Sequence, residues 1–431
     1  MNINLMHPAD QIVTMMERIY GYGMTTTSGG NLSIMDENEN IWITPSGIDK
    51  GSLTREDIMC VKPDGTVIGP HTPSIELPFH STIYKRRPDV KAILHAHPPA
   101  LVSFSIVGKI PNTKMIPNVD LICGDVEMAP YDLPGSMALG EKIAKVYENS
   151  DIKTVMMENH GVIVADKDLF SAFMAFETLE YCAKLEINAR TIGDIHQLQE
   201  RHINICKEKN KINTIGEFEV DYYTSAERDA RQKMCDLVRR SYRQKLFTST
   251  QGTFSQRMDG NNFIITPYAV DRDYLDVSDI VRIQDGKAEK GKRPSRSWGL
   301  HEEIYKQHPE INSIIIAHPH NVMAFAVTDA EFDSRTIPES YIALRNVPKL
   351  PFGSSFMQPK LTAKEINPST PVVLVENDCI ITTGVNLIKA FDCLEVAEYS
   401  AKAIITSKVL GQINKINKEQ VEEINVAFHL K

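Results

Sequence analysis

The stretch AILHAHP at 92–98 returns as SIIIAHP at 313–319, with one histidine exchanged for isoleucine. A near-repeat half a chain away limits the fold more than any composition figure, because it points to one structural unit written twice. The register runs well beyond these seven residues. With residue n set beside n + 222, TSGGNLSI (27–34) faces STQGTFSQ (249–256), and IWITPSGID (41–49) faces FIITPYAVD (263–271). The offset becomes 221 over 73–99 against 294–320, then drifts to 218, so that ENH at 158–160 faces END at 376–378. A unit of this length is too long for a solenoid repeat, and 431 residues exceed one ordinary core. Two tandem domains are expected, 1–214 and 215–431, with the seam in the polar, charged stretch 205–229.

Within the first copy, ADQIVTMMERIYGYG reads as a helix capped by Asp10 and ended by Gly21 and Gly23. Short strands follow at NLSIMD and NIWITP, then a helix, ELPFHSTIYKRRP, stopped before Pro88. VKAILHAH is a buried strand, and KTVMMENHGVIVA two strands about a turn at NHG. A long helix then runs to Gly193, capped by Asp166 or Asp168. Strands and helices interleave with several direct strand–strand connections. That pattern predicts an α/β layered domain whose sheet is mixed or antiparallel.

His95 and His97 are two apart on a strand, so both imidazoles share a face. Two hydrogen-bonded core histidines would look the same. His160 at a glycine turn and Glu76 at a helix start would complete a first shell of three His and one carboxylate, suited to Zn²⁺ or a similar divalent ion. The second copy tests the grouping. Glu76, His95 and His160 become Ser297, Ile316 and Asp378, and only His97 keeps its type, as His318. The surroundings persist: His80 with His301, Tyr84 with Tyr305, Asn159 with Asn377. The joint change of three of the four is what one functional unit given up by the second copy would show; the retention of His80 favours a structural role for it, and by the same logic His97 has a packing role to weigh beside its ligand role. The turn TSGGN with TPSG and Pro73-Ser74 offers N–H and hydroxyl donors to an anion, or forms ordinary turns. In the second copy Asn31, Ser46 and Gly47 become Thr253, Tyr268 and Ala269.

A net charge of −9 gives no electrostatic footprint for nucleic acid or anionic membrane. Seven scattered cysteines without C-x-x-C fit reduced thiols of a cytoplasmic protein. The start MNINLMHPADQ lacks the basic and apolar regions of a signal peptide, and no apolar run approaches a membrane span.

The order Gly-Asn turn, ITPSG, PS-x-E, His-x-His and a late HG resembles the class II aldolase/adducin family, with the likeness running through both halves. The resemblance implies two tandem three-layer α/β/α domains, each around a mainly antiparallel sheet. It implies a divalent metal, Zn²⁺ by expectation, on Glu76, His95, His97 and His160, with Glu76 also the acid/base. The family's phosphate pocket falls on Gly30, Asn31, Ser46, Gly47 and Ser74. One departure is PSIE for the aldolases' PSSE: Ile75 removes a hydroxyl that would face the phosphate. The reaction implied is aldol cleavage of a C–C bond in a small sugar or sugar-phosphate-like hydroxy ketone, in the first domain. Epimerases, dehydratases, decarboxylases and non-catalytic adducin-like scaffolds are the family's alternatives; its epimerases carry Asp where Glu76 stands. The family's interface tyrosine falls at Tyr341 in TIPESYIALR, a further catalytic candidate. That placement implies a homo-oligomer, a dimer of tandem chains imitating a tetramer of single domains.

Overall fold

A computed structural model describes residues 3–211 and 215–430. Two compact units separate within it. One holds the chain up to Thr113 with Asn118–Lys184, the other Lys114–Pro117 with Leu185 onward.

The first unit is built on a sheet of β1 (Asn31–Met35), β2 (Ile41–Ile43), β3 (Met59–Val61), β4 (Val67–Ile68), β5 (Ala92–Ala96), β6 (Val126–Ala129), β7 (Thr154–Met157) and β8 (Val162–Asp166). Their order is β4-β3-β2-β1-β5-β8-β7-β6, antiparallel throughout except β6 beside β7. The second unit's sheet contains β9 (Gly216–Phe218), β10 (Thr253–Asp259), β11 (Asn262–Ile265), β12 (Val281–Gln284), β13 (Lys287–Glu289), β14 (Ser313–Ala317), β15 (Lys349–Leu350), β16 (Val372–Val375) and β17 (Cys379–Gly384). Its order, β15-β16-β17-β14-β10-β11-β12-β13-β9, is the first order reversed in listing, with β9 added parallel at the β13 edge. The register repeats residue for residue. Asn31 stands opposite His95 in one sheet, and Thr253 opposite Ile316 in the other.

Period-2 alternation sends Ile93, Val155 and Ile163 to one face of the first sheet. There they pack on Phe79 and Ile83 of the helix Leu77–Arg86 and on Leu139 and Ile143 of the helix Met137–Val146. Leu32, Leu94, Val162 and Val164 point to the other face and are equally buried. The helix Pro8–Gly21 lies against β1 and β2, and its Arg18 stacks over Phe173 of the helix Leu169–Ile192. The result is helix, sheet, helix. In the second unit the helix Trp298–Gln307 joins the core under β11, β12 and β14, while Leu387–Ser407 packs on β14 and β17.

Several local expectations shift. The first helix is capped by His7, whose Nδ1 accepts from Ala9 N, because Pro8 takes the first helical position. Asp10 therefore sits inside the first turn and pairs with Arg55. Asp168, not Asp166, caps the long helix by accepting from Ser171 N. The last turns of that helix belong to the second unit, tied by Asn188 to Asn321, and the segment after the helix follows, with His196 N donating to Val327 O. The expected seam at 214/215 adjoins 212–214, which lie outside the described residues. None of the seven cysteines forms a disulfide. Among the described residues no helix is long and apolar enough to cross a membrane.

Candidate metal centre

β5 stops at Ala96 and β8 starts at Val162 beside it. His95 lies in β5, His97 just past its end, and His160 in the turn that leads into β8. Asn159 holds that turn at φ 53, as Asn377 does at φ 50 in the second unit. The strands approach closely: a Cβ on Gly161 would come within 2.6 Å of Ala96 O and 2.7 Å of His97 Cδ2. One on Gly30 would come within 2.8 Å of His95 O. Only glycine lets the backbone come this near the imidazoles.

The ligand nitrogens of His95, His97 and His160 lie within 4.8 Å of one another. Glu76 enters from the start of the helix Leu77–Arg86. Its carboxylate caps nothing on its own helix and turns instead into the cluster, 3.3 Å from His95 Nε2 and 3.6 Å from His160 Nε2. Burial disfavours the charged imidazoles and holds His95 and His97 down to about 3, with the neighbouring histidines adding to the effect. Both rings are neutral at physiological pH, the form a metal requires.

The tautomer of His95 follows from its partner. Nδ1 faces the Val162 carbonyl at 3.0 Å, and a carbonyl only accepts, so Nδ1 carries the proton. Nε2 then presents a lone pair to a carboxylate. Two acceptors 3.3 Å apart in a buried site repel unless a cation lies with them. His95 Nε2 and His97 Nε2 are both buried without a hydrogen-bond partner. Three neutral imidazoles and a carboxylate fit a divalent ion in donor type, number and direction.

Asn31 departs from the anion-binding role expected of its side chain. Its Nδ2 donates to Glu76 Oε2 at 2.6 Å, so its Oδ1 accepts from His80 Nε2 at 2.5 Å. His80 Nδ1 must then accept from Ser33 Oγ at 2.7 Å, and Ser33 in turn meets the Tyr84 hydroxyl at 2.7 Å. A buried chain from Tyr84 to Glu76 thus fixes the carboxylate. In the second copy Tyr305, Ser255 and His301 repeat the inner part, with bonds of 2.7 and 2.6 Å. The chain ends there. Thr253 replaces Asn31 and turns to Ser295, and His301 Nε2 is left without a partner. Asn31→Ala should therefore weaken metal binding by about 10–100-fold, read by chelator competition, since outer partners of ligands act on that scale. Unchanged affinity would remove Asn31 from the site.

The other anion-binding candidates lie side by side at the same end of the sheet. Pro45 bridges to Pro73, Ser46 N donates to Thr72 O, and Ser74 Oγ accepts from Glu76 N. Gly30 and Gly47 adopt φ of 72 and 68. Ile75 is 64% exposed beside Glu76. Two residues here escaped the sequence reading. Thr25 Oγ1 is buried without a partner next to Gly30. Lys50 is buried, its amine donates to Pro45 O, and burial pushes it down to about 8. Its counterpart Arg272 likewise holds Pro267 O, so the repeat had the signal: a basic residue at both positions clips the same loop. Tyr341 lies in the second unit, and its hydroxyl donates to Asn425 Oδ1 at 3.1 Å.

A 5-deoxy-D-ribulose 1-phosphate aldolase of Bacillus thuringiensis is 29% identical over 202 residues, 46% of this chain and 93% of that protein. A 3-oxo-tetronate 4-phosphate decarboxylase of Pectobacterium atrosepticum is 34% identical over 199 residues, 44% of this chain and 90% of that one. An L-fuculose phosphate aldolase of Methanococcus maripaludis is 31% identical over 176 residues, 41% of this chain and 93% of that one. Each is a single-domain length set against a chain twice as long. The model for the class II aldolase and adducin N-terminal domain matches residues 10–187 and again 232–405. With both halves matched, the chain belongs to the class II aldolase/adducin family and carries its domain in tandem.

Proposed function

We propose that the first copy is a metal-dependent lyase that breaks a C–C bond in a small hydroxy ketone, and that the second copy has given up this chemistry. The observation that carries the reading is the convergence of His95, His97 and His160, their ligand nitrogens within 4.8 Å of one another, on the Glu76 carboxylate 3.3 Å from His95 Nε2. His95, His97, His160 and Glu76 would hold the ion. When bound, a divalent cation supplies a Lewis acid that polarises a carbonyl and stabilises the charge left by C–C cleavage. The protein's own groups do the rest. The carbinol proton passes through water to the Glu76 carboxylate as its carbon becomes a carbonyl and the C–C bond breaks toward the other fragment. Glu76 Oε1, the oxygen Asn31 does not hold, delivers a proton to the carbon that retains the electron pair. Gly30, Ser46, Gly47 and Ser74 line the end of the sheet where an anionic substituent would sit. Ile75 offers no hydroxyl there, which favours a substrate held less by phosphate than those of the aldolases.

Decarboxylation is the second reading, favoured by the 34% identity to a 3-oxo-tetronate 4-phosphate decarboxylase. It breaks a C–C bond with the same charge to stabilise, and CO₂ leaves in place of an aldehyde. Incubating the metal-loaded protein with L-fuculose phosphate, 5-deoxy-D-ribulose 1-phosphate and 3-oxo-tetronate 4-phosphate separates the two. Aldehyde release supports aldol cleavage and CO₂ release supports decarboxylation. Turnover of a related hydroxy ketone without C–C cleavage would overturn both.

A further inference from the structure

Lys50 is 3% exposed, and no acid answers its charge. Among the described residues no carboxylate lies within ion-pair distance of it. The neighbouring Asp49 turns to Gly51 N and Ser52 Oγ instead. Burial alone pushes the amine down to about 8, and no charged neighbour acts on it. A buried ammonium without a counter-charge destabilises a fold unless a ligand supplies one.

The position of Lys50 points to that ligand. Its N–H donates to Thr27 O at 2.9 Å, and its amine donates to Pro45 O at 2.5 Å. It therefore joins the two turns, 27–31 and 44–47, that carry the anion-binding candidates Gly30, Ser46 and Gly47. Beside Gly30 the Thr25 hydroxyl is buried without a partner. The second copy shows what a basic residue does at this corner when its role is structural. There Arg272 N donates to Ser249 O, and the guanidinium meets four carbonyls, those of Gln251, Gly252, Pro267 and Val270. The fold occupies the arginine fully. Lys50 has three donors and uses one on the equivalent loop. The basic residue with donors to spare stands in the copy that keeps Ser46 and Gly47, not in the one that carries Tyr268 and Ala269.

We propose that Lys50 is a specificity-determining charge of the first copy: its ammonium, held at Pro45, selects a substrate that carries an anionic group, phosphate or carboxylate. The donors of the two turns then set where that group lies. Ile75 withholds a hydroxyl at the same end of the sheet, so charge supplies part of what hydrogen bonding would. The inference rests on this end of the sheet being the substrate's place, as the proposed function has it. Its test needs no turnover, so it fails separately from the lyase reading.

Calorimetric titration of the full chain with inorganic phosphate, and separately with malonate, tests it after metal has been stripped and the chelator removed. Wild type should bind at least one titrant; phosphate alone identifies a phosphate ester as the substrate class, malonate alone a carboxylate. At about pH 7.5, Lys50→Met should weaken that binding about tenfold, the scale of one charged contact. Lys50→Arg should keep it within about threefold, because Arg272 shows that the corner holds an arginine. Raising the pH separates charge from clip: a neutral amine still donates to Pro45 O, so only the charge is lost. With the free amine at about 8, wild-type affinity should fall roughly sixfold between about pH 7.5 and 9.5, while that of Lys50→Arg stays level. Wild type silent to both anions would overturn the proposal, as would Lys50→Met binding as tightly as wild type. Lys50→Arg binding no better than Lys50→Met, or a wild-type affinity level across the pH range, would overturn it too, since Lys50 would then act only as a clip.

Discussion

Glu76→Gln lowers turnover about 10³-fold while the protein keeps its divalent ion, the expected scale for loss of a positioned acid/base. The substitution preserves the side chain's shape, and an amide oxygen can still accept from Asn31 Nδ2 at the place where Oε2 now does. The three imidazoles are untouched. What disappears is a group able to give a proton at Oε1. The two readouts separate its roles: kcat falls through lost proton transfer, and metal content falls only through lost ligation. A variant with near-normal cleavage would show that Glu76 is not the acid/base. One that lost both metal and turnover would show that its ligand role dominates.

Two histidines that no ligand role explains should each make acid cost the second unit about 2 kcal/mol between pH 7.5 and pH 5, while Glu398, whose carboxyl burial pushes up to about 7, works in the opposite direction. Burial holds His301 at about 3, and burial with the nearby Arg296 holds His318 at about 4. In the unfolded chain each titrates near its ordinary value of 6.5. Below 6.5 the unfolded state takes up protons that the native state refuses, so stability falls as pH falls. The full contribution is present above 6.5. It declines by about 1.4 kcal/mol per pH unit per group down to the folded values, then levels off. At pH 5 each group costs about 2 kcal/mol, an order-of-magnitude figure for sites this buried. Denaturant unfolding of metal-stripped protein across this range, compared between wild type and His301→Gln, measures it: the variant should be relieved of about 2 kcal/mol of the acid cost. A pH profile that His301→Gln leaves unchanged would mean that this ring is not native in its neutral form.

The tandem arrangement and the sheet class were legible because the repeat constrains every strand twice over. The clustering of Glu76, His95 and His160 was legible for a related reason: their joint loss in the second copy reports proximity that spacing alone does not. The retention of His80 as His301 goes with a repeated local network, Tyr305–Ser255–His301 in the second copy and Tyr84–Ser33–His80 in the first. The direction of Asn31 was not legible. A residue at the end of a strand can turn to an anion or to its neighbours, and only the pairing of β1 with β5 places it against Glu76. Lys50 was overlooked because a single lysine in a polar loop ordinarily stays solvated; its burial depends on how that loop folds back on Pro45. β9 lacks a hydrophobic run, and its place follows from pairing with β13.

Metal analysis of the purified chain, with ligand substitutions, tests the central claim most directly. The account predicts about one divalent ion per chain in wild type, lost when His95 and His97 are both changed to Ala and kept in His318→Ala. A wild-type protein that takes up no ion after reconstitution with Zn²⁺, or an ion that survives the double substitution and leaves with His318, would contradict it.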